Sequence, residues 1–331
     1  MIDSTIKNLT NRVFSITSDQ FESLALDVFR FQAKHNAIYN QYINYLGCKI
    51  QDVSSLQQIP FLPIDFFKNN KIIIGDTPSQ IVFSSSGTTG ANTSKHYVAD
   101  LSLYERSFTE GFKAFYRNPE KYCIIALLPS YLERTGSSLI YMMNKLITLS
   151  NHPQSGFYLN YEGKMLSTIE SLMQQNKPIW LIGVTYALLD FAENHPINLD
   201  NTIVLETGGM KGHRKEMVRE DLHQYLQSKL GVSAIHSEYG MTELLSQAYS
   251  TGNGIFTCPS WMRVLIRDIY DPFTFLNSNQ SGAINVIDLA NLYSCSFIET
   301  KDLGKKYSNS SFQVLGRIDH SEVRGCNLLV Q

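Results

Sequence analysis

The sequence lacks the features that mark secreted, membrane-spanning and zinc-binding proteins. Its 331 residues include five cysteines, an odd number without any CxxC spacing, so neither a disulfide framework nor a zinc cluster is expected. The first residues contain neither the basic start nor the continuous apolar run of a signal peptide. No apolar stretch approaches the about 20 residues that span a bilayer. We therefore expect a cytoplasmic protein with reduced thiols.

The sequence also lacks an excess of charge of one sign. Thirty acidic residues against 28 basic residues give a formal net charge of -2, which argues against a protein that coats a nucleic acid. Hydrophobic residues make up 43% of the chain. This apolar content is enough to offset the entropy of ordering the chain, and it disfavours intrinsic disorder.

Hydrophobic periodicity predicts an α/β fold with mainly parallel sheets flanked by helices. Residues 19–46 have a helical pattern, because apolar and aromatic residues recur at steps of three and four. Further along, short β-like runs, among them 72–74, alternate with amphipathic helices. Short strands dominate beyond about residue 255 and predict a smaller antiparallel β subregion. The predicted organisation is a helical segment over 1–60 packed on a core over 61–331, with the β-rich subregion over about 255–331.

One segment has the composition of a phosphate-binding loop. The apolar run Ile81–Phe83 leads into Ser84–Gly90, which is rich in hydroxyls and glycine, and Lys95 follows. Glycines let backbone N–H groups approach an anion, hydroxyls add donors and a lysine neutralises charge. The segment is not a Walker A loop, because it contains no Gly-Lys pair. Composition alone leaves a polyphosphate loop and a solvated surface loop as alternatives.

Three further segments contain side chains that suit a nucleotide. Glu238–Glu243 joins an aromatic ring, a hydroxyl and a carboxylate, which suits a base-stacking surface and a Mg²⁺ ligand. Phe297–Gly304 places a carboxylate at a predicted strand end, where it can accept hydrogen bonds from a ribose. Gly316–Asp319 is a glycine-bounded turn with an arginine. His96 and His236 lie near these motifs, either to contact ligand or to serve the structure.

Together these motifs resemble the adenylate-forming (acyl-activating) superfamily from about residue 60 to the end of the sequence. The segments found in that family's order and approximate spacing are Ser85–Gly90 with Lys95, Tyr239–Glu243, Thr300–Asp302 and Gly316–Asp319. Thr207–Lys211 is similar to the family's glycine pair on the adenine side. Ala91–Ser94 departs from the family's pattern, which has a proline before its lysine and fewer intervening residues.

Within that superfamily the sequence resembles the shorter acyl-protein synthetases of the LuxE type. Typical superfamily members continue past the Gly-Arg-x-Asp segment into a mobile domain, whereas this sequence stops at Gln331, 14 residues past Arg317. Leu62–Lys68 is also similar to the LuxE subgroup. Members of that subgroup pass the acyl group to a cysteine near their own C-terminus. Cys326 is the matching cysteine here, and the alternative is a thiol without a role.

The resemblance implies ATP-dependent activation of a carboxylic acid, expected to be a fatty acid, followed by transfer of the acyl group to a protein thiol. ATP and Mg²⁺ are the implied cofactors, and an acyltransferase, a reductase or a carrier protein is an implied candidate partner. One alternative is an acyl-CoA or carrier-protein ligase similar to phenylacetate-CoA ligase. Another is a non-catalytic protein that binds a nucleotide or an acyl group.

The resemblance also assigns roles to individual residues. The predicted catalytic residues are Lys95, Thr242, Glu243 and Cys326, with Glu243 as the metal ligand. Tyr239 is expected to stack on adenine, and Asp302 and Arg317 are expected to hold the ribose. The predicted cofactor-binding residues are Ser85, Ser86, Gly87, Thr88, Thr89, Gly90, Gly208, Gly209, Tyr239, Gly240, Asp302 and Arg317.

Overall fold

The computed structural model describes residues 2–85, 93–129, 136–159, 162–208 and 217–318. Its helices are α1 (Ile2–Phe14), α2 (Phe21–His35), α3 (Ala37–Tyr45), α4 (Phe66–Asn69), α5 (Leu101–Tyr116), α6 (Ser138–Ser150), α7 (Lys164–Gln174), α8 (Thr185–Asn194) and α9 (Arg219–Leu230). Its strands are β1 (Leu62–Pro63), β2 (Ile81–Ser84), β3 (Lys95–Val98), β4 (Cys123–Leu127), β5 (Gly156–Tyr158), β6 (Ile179–Val184), β7 (Thr202–Thr207), β8 (Ile235–Tyr239), β9 (Ala248–Ser250), β10 (Ile255–Thr257), β11 (Met262–Arg267), β12 (Ser281–Asp288), β13 (Phe297–Lys306) and β14 (Phe312–Arg317).

The chain divides into two compact units. The first unit contains residues up to Thr77 together with those from Ser260 onward, and the second contains Pro78–Pro259. In the first unit, β11, β12, β13 and β14 form an antiparallel sheet in that order, and β1 pairs in parallel with β13. The division predicted from the sequence, into 1–60 and 61–331, stays a prediction.

An aromatic cluster fills the core of the first unit. The Phe297 ring on β13 lies 6.2 Å from Phe29 of α2, 6.4 Å from Tyr39 of α3 and 6.0 Å from Phe61, measured between ring centroids. Such ring pairs contribute stability beyond the apolar area that they bury. The N-terminal helices therefore pack on the C-terminal strands.

The helix predicted over 19–46 is interrupted at Asn36. This residue has an extended backbone (φ -97°, ψ 109°), and its side chain accepts a hydrogen bond from the Tyr39 N–H, so it caps α3. Its amide also donates to the Ser294 carbonyl at 3.0 Å. Apolar spacing continued through the interruption, and the capping preference of asparagine decided where one helix ended and the next began.

The second unit contains a mainly parallel sheet with helices on both of its faces. Strands β5, β4, β6, β7 and β8 pair in parallel in that order, and β9 and β10 extend the sheet in antiparallel fashion. Every residue of β4 and β6 is buried, as expected for strands covered on two faces. Strands β2 and β3 form a separate antiparallel hairpin.

These observations confirm the predicted fold class, including the antiparallel subregion towards the C-terminus. The strand predicted at 72–74 is wrong: Ile72, Ile73 and Ile74 are buried but lie outside any strand. Ile74 donates one backbone hydrogen bond to Tyr293, which is too little pairing to build a ladder. None of the described helices is long and apolar enough to span a bilayer.

Candidate active site

The carboxyl ends of β4, β6, β7 and β8 lie at one edge of the parallel sheet, where ligands usually bind in α/β proteins. The predicted adenine-side glycines and the Tyr239–Glu243 motif directly follow two of these strands. Gly208 directly follows β7 and has a φ of +82°, a conformation that favours glycine. A cavity of about 500 Å³, lined by residues such as Pro178 and Ser233, opens at the opposite edge, away from these motifs.

The predicted phosphate loop connects the strands of the β2–β3 hairpin. Ser84 pairs with Lys95 across the hairpin. Beyond that pair, the Ser85 N–H donates to the Ser94 carbonyl at 3.1 Å, and the Ser85 hydroxyl accepts from the Ser94 N–H at 3.0 Å. These bonds hold the base of the loop closed, while the Lys95 side chain is exposed and available to an anion. The predicted ligands Ser86, Gly87, Thr88, Thr89 and Gly90 lie outside the described residues.

The Tyr239–Glu243 motif forms the end of β8 and the turn that follows it. Tyr239 is buried, with its ring centroid 6.0 Å from that of Phe256. The Thr242 carbonyl oxygen lies 2.9 Å from Nδ1 of the buried His96 on β3. This contact joins the strand that begins with Lys95 to the turn that contains Thr242 and Glu243. Two segments that are separate in the sequence therefore meet, as the resemblance predicts.

Glu243 was predicted to hold a magnesium ion, and its chemistry fits that role. The residue is 4% exposed, and Thr242 beside it supplies a hydroxyl oxygen. Among the described residues, no group of three or more histidine, cysteine, aspartate or glutamate side chains is placed to hold a metal by itself. Mg²⁺ is commonly bound by one or two carboxylates together with substrate phosphates. The donors present therefore suit an ion that binds together with a nucleotide.

Two buried or half-buried carboxylates at this edge received no role from the sequence. On β7, Glu206 accepts a hydrogen bond from Thr185 at 3.2 Å and lies 3.5 Å from Arg219 and 3.6 Å from His223. Burial acts to raise the pKa of Glu206, but the hydrogen bond from His223 and the charge of Arg219 outweigh it, so the pKa is lowered. Glu206 is therefore a charged member of a buried ionic network.

The second of these carboxylates, Glu238 on β8, has the opposite character. Its Oε2 accepts a hydrogen bond from the Thr207 hydroxyl at 2.7 Å. Desolvation raises the pKa of Glu238 to about 7, against the effect of that hydrogen bond and with a contribution from the Glu206 charge. The feature of the sequence that could have indicated a role for Glu238 is its position immediately before the Tyr239–Glu243 motif.

His236, two residues before Glu238, packs against Tyr116 of α5. Its Nδ1 lies 3.2 Å from the Tyr116 hydroxyl, and the two rings pack at 5.6 Å. Burial, with the neighbouring His223, lowers the pKa of His236 to about 4, so the ring is neutral at pH 7. This packing supports the structural one of the two alternatives, and a contact between His236 and a ligand stays a prediction.

The first unit brings together the two residues predicted to hold the ribose. Asp302 and Arg317 are opposite each other on β13 and β14, with Arg317 Nε 3.5 Å from Asp302 Oδ1. The Arg317 side chain is 75% exposed. Asp302 lies within β13 and not at a strand end as predicted, because the strand continues to Lys306 and pairs with β14. The predicted residues Gly209 and Cys326 lie outside the described part of the chain.

Solved structures with the same fold include proteins bound to ATP or to an acyl-adenylate. The 2-hydroxyisobutyryl-CoA ligase in its postadenylation state, with 2-HIB-AMP, aligns with a TM-score of 0.69 and 10% identity, covering 93% of this chain and 70% of that one. ATP-bound MatB from Rhodopseudomonas palustris aligns with a TM-score of 0.53 and 16% identity, covering 71% of this chain and 47% of that one. The chain thus spans about half the length of MatB. At these identities the likeness establishes the fold alone.

Sequence comparison is more specific than the fold. No curated protein sequence matches the chain. The sequence model of the family described as "Acyl-protein synthetase, LuxE" matches residues 12–331, which is almost the entire chain. The chain therefore belongs to the LuxE acyl-protein synthetase family, as its motifs predicted.

Proposed function

We propose that this protein is an ATP-dependent ligase that joins a carboxylic acid to AMP and then passes the acyl group to a protein thiol. The observation that carries the proposal is the contact between His96 and Thr242, at 2.9 Å. It links the exposed Lys95, after the predicted phosphate loop, to the turn that supplies Thr242 and Glu243. Membership in the LuxE family supports the same chemistry.

In the first step, a carboxylate oxygen of the acid attacks the α-phosphorus of ATP. The bond from that phosphorus to the bridging oxygen of the β-phosphate breaks, and pyrophosphate leaves with the bonding electrons. Both reactants are anions, so the protein must hold them together and disperse their charge. We assign Ser85 and Lys95 to the phosphates, and Thr242 to the α-phosphate. A Mg²⁺ ion held by Glu243 would neutralise further phosphate charge.

The remaining assignments concern the nucleoside. Tyr239 stacks on adenine, and Gly208 and Gly240 lie beside the base. Asp302 accepts hydrogen bonds from the ribose hydroxyls, and Arg317 donates to them. The Asp302–Arg317 pair supports this assignment, because an exposed guanidinium held by a carboxylate stays charged and oriented.

In the second step, a thiolate attacks the carbonyl carbon of the acyl-adenylate. The bond between that carbon and the phosphate oxygen breaks, AMP leaves, and the thiol proton passes to solvent. We propose Cys326 as the acceptor, following the LuxE resemblance. Transfer to coenzyme A is a second candidate, since the similarly folded 2-hydroxyisobutyryl-CoA ligase has been solved with 2-HIB-AMP and CoA.

Exchange of labelled pyrophosphate into ATP tests the first step. A panel of carboxylic acids, beginning with fatty acids, is expected to contain members that support exchange by the wild type. Glu243→Gln removes a charge that the transition state needs and is expected to slow exchange by about 100-fold or more. The control is Glu220→Gln, the same change at an exposed helix position. Exchange by Glu243→Gln at close to the wild-type rate would contradict the assignment.

Retention of label on the polypeptide tests the second step. With a radiolabelled acid and ATP, label is expected to survive denaturation of the wild type and to be removed by hydroxylamine. Cys326→Ser is expected to abolish the label and to leave pyrophosphate exchange intact, whereas Cys48→Ser retains both. Acyl-CoA formation without protein labelling would support the second candidate and exclude Cys326 as the acceptor.

A further inference from the structure

Three polar side chains converge on one face of the β8–β9 pair. Glu238 and Tyr249 are directly opposite each other in the antiparallel ladder, so their side chains share a face. Gly240 directly follows β8, two residues after Glu238. A methyl group there would collide with Glu238 Oε1 and approach the Gln247 side chain to 3.3 Å. The absence of a side chain at Gly240 thus makes room for the Glu238 carboxylate beside Gln247, on the face that Tyr249 shares.

Two polar atoms of this cluster have no hydrogen-bond partner among the described residues. Gln247 Oε1 and the Tyr249 hydroxyl are buried without a hydrogen bond, in side chains of residues that are 6% and 2% exposed. Glu238 Oε2 is bonded to Thr207, but no described residue donates to Oε1. An unpaired buried polar atom destabilises the folded protein. Two such atoms, beside a carboxylate with one hydrogen bond, are explained if a bound molecule supplies the missing hydrogen bonds.

The surroundings of this cluster are aromatic and weakly charged. The Tyr249 ring lies 5.1 Å from Phe115 and 5.4 Å from Tyr116, both on α5. The other titratable groups near Glu238 are Glu206 and the Tyr104, Tyr116 and Tyr249 hydroxyls, together with His236 on the same face of β8. No described lysine or arginine pairs with Glu238. A ligand group that binds here must therefore bring its own donors.

We propose that Glu238, Gln247 and Tyr249 form a specificity site for a hydrogen-bond donor, a hydroxyl or an ammonium group, on the carboxylic acid substrate. The inference rests on the proposed function, and it specifies the carboxylic acid, which the sequence predicts to be a fatty acid, as one that carries a hydroxyl or amino group. The site directly precedes the turn that contains Thr242 and Glu243. A substituent bound at Glu238 therefore belongs to the same acid whose carboxylate reacts there. An alkyl chain would leave Gln247 Oε1 and the Tyr249 hydroxyl unpaired.

Matched acids test this specificity. Unsubstituted, hydroxyl-substituted and amino-substituted acids of equal chain length are compared in pyrophosphate exchange. The wild type is expected to show a kcat/KM at least about tenfold higher for a donor-bearing acid than for its alkyl counterpart. Glu238→Leu is expected to reduce that ratio by about tenfold or more while retaining exchange with the alkyl acid. Glu220→Gln, at an exposed position, serves as the control.

Two further variants sharpen the result. Glu238→Gln keeps the size of the side chain and removes its charge, so it should lower the rate with an ammonium-bearing acid more than with a hydroxy acid. Tyr249→Phe removes one hydroxyl and should reduce the preference by about threefold to tenfold. A wild-type preference for the alkyl acid, or a ratio that Glu238→Leu leaves unchanged, would overturn the proposal.

A binding measurement separates failure of this site from failure of the proposed function. The thermal stability of the wild type is measured with each acid in the absence of ATP, and Glu238→Leu is expected to lose the stabilisation given by the donor-bearing acid. Preserved stabilisation without any pyrophosphate exchange would contradict the ligase function and uphold the site. Exchange with alkyl acids alone, without stabilisation by a donor-bearing acid, would contradict the specificity site and support the ligase function.

Discussion

The two faces of the sheet at β7 and β8 shift the pKa of a carboxylate in opposite directions. On one face, Glu206 is surrounded by Arg219, His223 and the Thr185 hydroxyl, and its pKa is lowered. On the other face, Glu238 has one hydrogen bond from Thr207 and aromatic neighbours, and its pKa is raised to about 7. The two residues lie on neighbouring strands, so the difference in pKa comes from the side chains that surround each carboxylate on its own face of the sheet.

This comparison distinguishes a structural carboxylate from a candidate ligand-binding one. Glu206 has its charge compensated inside the protein and offers little to a ligand. Glu238 is uncompensated, and an uncompensated group at the ligand-binding edge of a sheet is a candidate for function. The His223 and Arg219 side chains on α9 explain the first case, and the packing of α5 explains the second.

Removing the compensated carboxylate is expected to have the largest effect on stability. Glu206→Leu leaves His223 and Arg219 without their acceptor, and breaking a buried ion pair costs about 3–5 kcal/mol. Because Arg219 retains some access to water, we expect a loss near the lower end of that range. Urea denaturation at pH 7 measures the free energy of unfolding. Glu220→Gln is the control, and a loss below about 1 kcal/mol for Glu206→Leu would show that the network contributes little.

Most of the second unit could be predicted from the sequence, because its strands are apolar runs bounded by helices. Cys123–Leu127 and Ile179–Val184 are continuous apolar segments, and both are buried throughout. The break at Asn36 could not be predicted from periodicity, since the apolar stripe continues across it and a single cap ends α2. The position of Asp302 inside a strand depends on pairing with β14, which is a contact between distant residues.

The residues of the candidate site that belong to sequence motifs could be predicted. The contacts and pKa values that depend on neighbouring side chains could not. Tyr239, Thr242 and Glu243 were identified from their order and residue types. The sequence gives no sign that His96 contacts Thr242, because 146 residues separate them. The different pKa values of Glu206 and Glu238 depend on side chains from α9 and α5. An acidic residue within a predicted strand does not indicate which of these environments it will have.

Titration of the uncompensated carboxylate gives the second prediction. A pKa of about 7, against an ordinary value of 4.5, means that the folded protein binds the Glu238 proton more tightly than the unfolded chain. This residue therefore lowers the free energy of unfolding as pH rises from about 4.5 to about 7. Glu238→Gln removes that effect. We expect the variant to match the wild type near pH 5 and to exceed it by about 1–2 kcal/mol at pH 8.

Urea denaturation of both proteins across that pH range measures the difference and cancels the contributions of other groups. A constant difference between pH 5 and pH 8 would show that Glu238 titrates normally. A variant less stable than the wild type at pH 8 would show that the ionised carboxylate is compensated, as Glu206 is. Either result would remove the contrast between the two faces.

Thr207 provides the smallest expected change, and it acts on the same titration. Thr207→Val keeps the shape of the side chain and removes the hydroxyl that donates to Glu238 Oε2 at 2.7 Å. That bond favours the ionised carboxylate, so its loss should raise the pKa of Glu238 further and cost about 0.5–1.5 kcal/mol at pH 8. The fall in stability still begins near pH 4.5, and the pH at which it levels off should move upward in Thr207→Val. Thr202→Val, at the other end of β7, is the matched control, and a downward shift in Thr207→Val would mean that the hydroxyl mainly accepts a bond from the protonated acid.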